Sequence, residues 1–254
     1  MSSTAAAAAI WVGLPAYNEE ATIPALFPRF KQVFAGRGAN YRIVLYNDGC
    51  TDRTVARALE WSNELNVEII GKSVNMGLGE GLRCLIAHVT ERGAGRDVLF
   101  ILDCDDTHHP AQFPAMLAAL DSGHDVVIAS RYRRGSHIAG VAPHRRLLSL
   151  GAAMLFKLLH NCRGVRDYTC GYRGYRVELL QRARKHYGER LIQERGFACM
   201  VELLLKLNRI GARMCEVPID LRYDLKQSAS KMDVGGNTMR LLARLVAWRM
   251  RGLE

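Results

Sequence analysis

Short apolar runs alternate with segments of helical spacing along the first half of this chain. Ile10 to Leu14, Tyr41 to Tyr46, Val67 to Ile70, Val98 to Leu102 and Val126 to Ala129 read as strands. Between the first two, residues 21–35 place Ile23, Leu26, Phe27, Phe30, Val33 and Phe34 at helical intervals. Further helices are expected at Thr54 to Leu65, Gly81 to Arg92 and Pro110 to Leu120. An alternation of this kind demands a mostly parallel sheet covered by helices on both faces. With 254 residues, 49% of them hydrophobic, the chain can bury one sizeable α/β core.

In such sheets ligands sit beyond the carboxyl ends of the strands. Polar clusters fall at those ends: Asn18-Glu19, Asn47-Asp48, Asp103 with Asp105, and Ser130-Arg131. Four clusters on one rim point to a site rather than to solvated loops. Asp103-Cys104-Asp105 is the strongest signal. Two carboxylates at i and i+2 can share one hard cation, magnesium or manganese, whose other positions go to diphosphate oxygens and water. The competing reading is an ordinary turn, where Asp is common. The Asp106 side chain should point away from this pair if the segment stays extended. His108 and His109 have no second pair at metal-ligand spacing, so they read as loop or helix-capping residues rather than zinc ligands. The run Asn75-Met76-Gly77-Leu78-Gly79-Glu80-Gly81 opens a helix without dinucleotide-binding spacing. It suits either a close backbone approach to a sugar nucleotide or a plain helix start.

The second half is less regular. Helices are expected at Arg145 to His160, Val177 to Lys185 and Ala198 to Ile210, and a strand at Cys215 to Asp220 whose Pro218 suits an edge. The net charge of +10 favours anionic partners. Among the basic residues, Arg131 stands out at a strand end facing the acidic pair, whereas Arg133 and Arg134 read as solvated. Arg222, Lys226 and Lys231 lie in a polar segment after the last strand. The seven cysteines include no C-x-x-C pair, which fits a reducing, cytoplasmic setting. No run of eighteen apolar residues suggests a spanning helix. Residues 1–9 read as a tail, 10–232 as one domain and 233–254 as a C-terminal amphipathic helix. That helix puts Leu241, Leu242, Leu245, Val246 and Trp248 towards one side, with Arg240, Arg244 and Arg251 around the other. It fits either a peripheral anchor on anionic lipid or a terminal helix packed on the domain.

Taken in order, LPAYNEE (14–20), NDGCTD (47–52), NMGLGEGLR (75–83), DCDDTHHP (103–110), SRYRRG (130–135), RRLLS (145–149), DYTCGYRGYR (167–176) and SASKM (228–232) resemble the motifs of family 2 glycosyltransferases, and within them the dolichol-phosphate mannose synthase group. Asn47, Thr107 and Ser228 depart from that pattern, standing where the family usually has Asp, where some members have a metal-contacting Gln, and where Gly is frequent. The resemblance implies the GT-A nucleotide-sugar transferase fold and an inverting transfer from a GDP- or UDP-sugar, foremost mannose from GDP-mannose, onto a polyprenyl phosphate. It implies a donor held by Pro15, Tyr17, Glu19 and Asp48, and a metal, Mg²⁺ or Mn²⁺, at Asp103 and Asp105. It implies an acceptor phosphate met by Arg131, Arg145 and Ser149, and a diphosphate covered by Arg222, Lys226 and Lys231.

An argument from chemistry agrees on the acceptor. An alcohol needs a general base, because its proton must leave. A phosphate monoester, with a second pKa of about 6, is already anionic and needs only orientation and charge screening. The second half offers clustered arginines and one evident base candidate, Glu202, which reads as a helix-face residue tied to an arginine. Two alternatives stay open: a transferase acting on a hydroxyl, and a non-catalytic module binding nucleic acid or an anionic membrane. The acidic rim argues against the second.

Overall fold

The structure, a computed structural model, describes residues 8–36, 40–140, 151, 154–222, 224 and 234–253, with only the backbone of 234–240 and 251. β1 (Ile10–Ala16), β2 (Tyr41–Asp48), β3 (Val67–Lys72), β4 (Val98–Ile101) and β5 (Val126–Ser130) follow the apolar runs. α1 (Ile23–Phe34), α2 (Thr54–Leu59), α3 (Leu78–Arg92) and α4 (Phe113–Asp121) stand between them. After β5 come β6 (His137–Ala139), a helical stretch at 154–159 (α5), and β7 (Arg173–Arg176). α6 (Val177–Tyr187), α7 (Ala198–Arg209), β8 (Met214–Pro218), β9 (Asp220–Arg222) and α8 (Val234–Arg251) complete the order.

Seven strands form one sheet in the order β3-β2-β1-β4-β7-β5-β8. Every pairing is parallel except those of β7, which runs antiparallel to both β4 and β5. The strand order reverses between β1 and β4, so a crevice opens beyond their carboxyl ends. β4 and β5 are buried at every residue, as strands covered on both faces must be. Aromatic stacking ties α1 and α4 to the sheet: Phe34 lies 4.0 Å from Tyr41, and Phe113 4.4 Å from Phe100, centroid to centroid. β6 and β9 make a small parallel pair, and Leu221 of β9 bridges to His108.

Several expected boundaries move, each for a local reason. α2 stops at Leu59 and gives way to single turns as far as Leu65, a stretch that includes Ser62 and Asn63, residues of low helix propensity. α3 starts at Leu78 rather than Gly81, because the Asp48 carboxylate accepts the amides of Met76 and Gly77 and so caps the start from a neighbouring strand. A 3₁₀ turn, Pro110–Gln112, precedes α4, and His109 Nδ1 caps it by accepting the Ala111 amide at 3.0 Å. The strand expected at Cys215 to Asp220 divides at Ile219, where the chain leaves β8, an edge strand carrying Pro218, for β9.

β7 had no counterpart in the sequence reading. Its arginines and glycine hide the strand pattern. Arg173 is nonetheless fully buried, and its guanidinium donates to three carbonyls: Cys170 at 2.8 Å, Met200 at 2.6 Å and Tyr168 at 2.7 Å. Gly174 makes room for Phe100, whose ring lies 2.6 Å from where a Cβ would stand.

The C-terminal helix packs on the domain. Leu245 and Leu253 join the core, and Leu241, Leu242 and Trp248 lie partly buried against it. His160 Nε2 meets the Leu245 carbonyl at 2.9 Å, and Arg244 pairs with Glu194 at 2.9 Å. Of the five apolar residues placed on one side of this helix, Val246 is the exposed one, because α7 and its surroundings take the others.

Candidate active site

The loops after β1 and β2 form one hydrogen-bonded unit. Asn18 adopts φ 53°, a left-handed conformation that Asn tolerates, and its Oδ1 accepts the Thr51 amide at 2.8 Å. Glu19 N donates to Thr54 Oγ1 at 2.7 Å. Asp52 accepts the amides of Glu20 at 3.2 Å and Thr54 at 2.9 Å. Asn47 Oδ1 accepts the Cys50 amide at 2.8 Å, so this departure from the family pattern serves the turn itself. Pro15 and Tyr17 border the unit, with Tyr17 exposed.

Asp48 is buried, and both its oxygens are turned to the glycine-rich loop: Oδ1 to Met76 N at 2.7 Å and Oδ2 to Gly77 N at 3.0 Å. That loop packs against residues 193–195. Gly79 N donates to the Arg195 carbonyl at 2.8 Å, and a Cβ on Gly79 would strike the Glu194 carbonyl. Glu202 holds this strap from beneath. Its Oε2 accepts the amides of Gln193 and Glu194, both at 2.9 Å, and its Oε1 pairs with Lys206 Nζ at 2.8 Å. Glu202 is therefore tied to a lysine, not to the expected arginine, and the buried pair faces the strap rather than solvent. A cleft of about 370 Å³ opens beside the strap, lined by Gly79, Arg83, Gln193 and Arg195 among others.

The acidic pair follows β4. Asp105 is buried, and its Oδ1 accepts both the amide and the hydroxyl of Thr107, at 3.2 and 2.6 Å. Thr107 thus orients a carboxylate. Asp103 lies beside His108, with Oδ2 to Nδ1 at 3.8 Å. Gly171 approaches Asp103 closely: a Cβ there would stand 3.2 Å from Oδ1. Asp106 takes φ 61° and turns away to Arg29 of α1 at 2.9 Å. Burial pushes the Asp106 carboxyl up, and Arg29 offsets part of that rise. Cys104 between the pair is fully buried. Burial drives its thiol pKa upward, and the charges of Glu19, Asp105 and Asp103 add to the rise. Two oriented carboxylates offering hard oxygen donors fit magnesium or manganese.

Farther along the same rim, Arg131 directly follows β5. Its Nε and Nη2 form a bidentate fork with Asp167 at 2.8 and 2.6 Å, and Nη2 also reaches Thr169 Oγ1 at 2.5 Å. Burial opposes the charged forms of both partners. Their mutual attraction outweighs it, so Arg131 is pushed up and Asp167 held below the usual carboxylate range. Arg222 is joined to the acidic loop through its amide, which donates to the Thr107 carbonyl at 3.3 Å. Its guanidinium pairs with Asp224 at 2.8 Å. Arg145, Ser149, Lys226 and Lys231 lie outside the described residues.

The structure thus gathers Glu19, Asp48, Asp103, Asp105, Arg131 and Arg222 around one rim. Asp167, Gly171, Thr107 and Glu216 had been given no role from the sequence, although Asp167 opens the segment DYTCGYRGYR that contributed to the resemblance.

A mostly parallel sheet whose switch-point crevice carries paired carboxylates and a glycine-rich helix start defines the GT-A nucleotide-sugar transferase fold. Glucosyl-3-phosphoglycerate synthase from Mycobacterium tuberculosis, solved with Mn²⁺, uridine diphosphate and phosphoglyceric acid, shares it. The TM-score is 0.69 at 22% identity, covering 96% of this chain and 79% of that one. The same enzyme with Mg²⁺ and uridine diphosphate gives a TM-score of 0.67 at 22% identity, covering 95% of this chain and 79% of that one. The sequence model of glycosyl transferase family 2 matches residues 11–184, and the chain belongs to that family. Among curated relatives, a dolichol-phosphate mannosyltransferase from Pyrococcus furiosus is 28% identical over 92% of this chain, which spans 63% of that protein's length. A polyprenol monophosphomannose synthase from Mycolicibacterium smegmatis is 27% identical over 94% of this chain and 86% of its own. An undecaprenyl-phosphate mannosyltransferase from Micrococcus luteus is 26% identical over 92% and 91%.

Proposed function

We propose that this protein transfers a hexosyl group, foremost mannose from GDP-mannose, to the phosphate of a polyprenyl phosphate, with inversion. The observation that carries this reading is the oriented cation Arg131 on the same carboxyl rim as Asp103 and Asp105, with residues 167–171 touching both. Glu202, the base candidate that a hydroxyl acceptor would have required, is buried and committed to Lys206 and the strap. The names of the Pyrococcus, Mycolicibacterium and Micrococcus relatives support mannose and a polyprenyl acceptor.

Asp103 and Asp105 would hold a divalent cation that neutralises charge on the departing diphosphate. Pro15, Tyr17 and Glu19 border the space for the nucleoside, while Asp48 shapes it through the glycine loop. Arg131 orients the acceptor phosphate by charge-assisted hydrogen bonds, in a place assigned also to Arg145 and Ser149. Arg222, with Lys226 and Lys231, would cover the diphosphate.

Purified protein incubated with labelled GDP-mannose or UDP-glucose, a polyprenyl phosphate, and Mn²⁺, Mg²⁺ or chelator tests the reading. The expected product is a metal-dependent, mild-acid-labile mannosyl lipid. Glycosylation of a hydroxyl acceptor instead would overturn the acceptor assignment, and a glucosyl lipid the donor. Asp105→Asn should fold and lose transfer by on the order of a thousandfold, since a cation supplies several kcal/mol of charge stabilisation.

The reading includes contact with an anionic membrane surface. No helix among the described residues is long and apolar enough to cross a membrane. Met154 and Leu158 of α5 and Val246 and Met250 of α8 are exposed, on helices linked by the His160 to Leu245 hydrogen bond. Flotation with anionic and neutral vesicles tests it, and equal absence from both would remove this part of the proposal.

A further inference from the structure

Five residues, Asp167 to Gly171, touch both the cation and the acidic pair of the crevice. At one end Asp167, fully buried, accepts Arg131 N at 3.0 Å as well as the bidentate guanidinium. Its Oδ1 also accepts the amides of Thr169 at 3.4 Å and Cys170 at 3.1 Å, which close the turn on the carboxylate itself. At the other end Gly171 lies against Asp103, so closely that a Cβ would press on Oδ1. The segment is anchored from two further directions. Glu216 of β8 accepts the amides of Arg166 and Asp167, both at 2.6 Å, and Arg173 holds the carbonyls of Tyr168 and Cys170.

A lone arginine at a strand end samples many rotamers, whereas a fork on a buried carboxylate fixes the plane of the guanidinium. The carboxylate also neutralises most of the arginine's charge. What Asp167 contributes is therefore direction rather than attraction. Direction matters here because a misplacement of about 1 Å between reacting groups can cost on the order of a hundredfold in rate.

We propose that Asp167 is a positioning residue acting through Arg131, and that segment 167–171 fixes where that arginine stands relative to Asp103. The inference rests on the reading of Arg131 as the group that meets the acceptor. Asp167 touches no reacting atom itself. Its carboxylate serves as the base of a bracket whose other arm is Gly171.

A double-mutant cycle tests it, using wild type, Asp167→Asn, Arg131→Lys and the combined variant. Steady-state kinetics are measured for donor and acceptor separately, with calorimetric binding of the nucleoside diphosphate. Asp167→Asn should lower kcat/KM for the acceptor by about tenfold to a hundredfold while nucleotide affinity stays within about twofold. Lysine cannot form the fork, so in the Arg131→Lys background the same change should cost less than about threefold. Equal losses in both backgrounds, or a matching loss of nucleotide affinity, would overturn the proposal. Should Asp167→Asn fail to fold, Thr169→Val removes the remaining contact to Arg131 from a half-buried position and should lower acceptor kcat/KM alone by about threefold to tenfold. Unchanged acceptor kinetics in that variant would count against the bracket. The cycle is run on whichever acceptor the wild type uses. Transfer to a hydroxyl would thus sink the lipid-phosphate reading, while the coupling between Asp167 and Arg131 is still decided.

Discussion

The loops after β1 and β2 are joined by single side-chain hydrogen bonds, in which Asn18, Asn47, Asp52 and Thr54 bond to amides of their own or the adjoining loop. The segment 166–173 on the other side of the crevice is held by buried charges: Asp167 with Arg131, Glu216 on two amides, and Arg173 on three carbonyls. The first design spreads its stability over many single hydrogen bonds. The second concentrates it in groups that become costly once a partner is removed, because a buried charge or carbonyl left unmatched cannot be solvated.

Breaking the second region should therefore cost most. Arg173→Met leaves three buried carbonyls without their donor and should destabilise the protein by roughly 3–5 kcal/mol, seen as a fall in Tm of about 10 °C. Glu216→Gln keeps the shape but weakens two charge-assisted bonds, for about 1–3 kcal/mol in denaturant titration. Acid should act on the same region. Asp167 has its folded pKa depressed, so its stabilisation is present above the unfolded aspartate value of about 3.9 and is lost as pH falls through the lower folded value. Wild type should lose stability below about pH 4 more steeply than Asp167→Asn, and parallel denaturation profiles would remove Asp167 from the account. In the first region Thr54→Val, which deletes a hydroxyl bonded to Glu19 N and Asp52, should cost only about 1 kcal/mol. The smallest effect is expected for Arg244→Ala. Its ion pair with Glu194 is more than half exposed on the arginine side and should contribute about 0.5 kcal/mol or less.

The same contrast explains what the sequence disclosed. The five parallel strands were visible because each is built around a short apolar run, interrupted only by Arg42 in β2 and Glu68 in β3 before the polar end, and the rim clusters because polar residues follow those runs. Asp103, Asp105 and Arg131 could be placed on one rim from the strand alternation alone. The partner of Arg131 could not, since Asp167 lies far along the chain and its burial depends on a strand, β7, that carries two arginines and a glycine. Glu202 was visible as an acid on an apolar helix, but Lys206 at the next turn was passed over in favour of an arginine. C-terminal amphipathicity was legible too. What amphipathicity leaves open is whether the apolar face meets lipid or protein, and here Leu245 meets protein.

β7 gives this architecture an order of assembly. It enters the middle of the sheet, pairing Arg173 with both Ile101 and Ile128, yet it follows β5 in the chain after a long excursion. Until residues 173–176 have emerged during synthesis, β4 and β5 each present a bare hydrogen-bonding edge, the kind of surface through which nascent chains aggregate. Closing that gap requires contacts between residues distant in sequence, which folds slowly. The strand that seals the sheet also draws residues 167–171 to the carboxyl rim, so no partly assembled form of this chain holds a finished crevice.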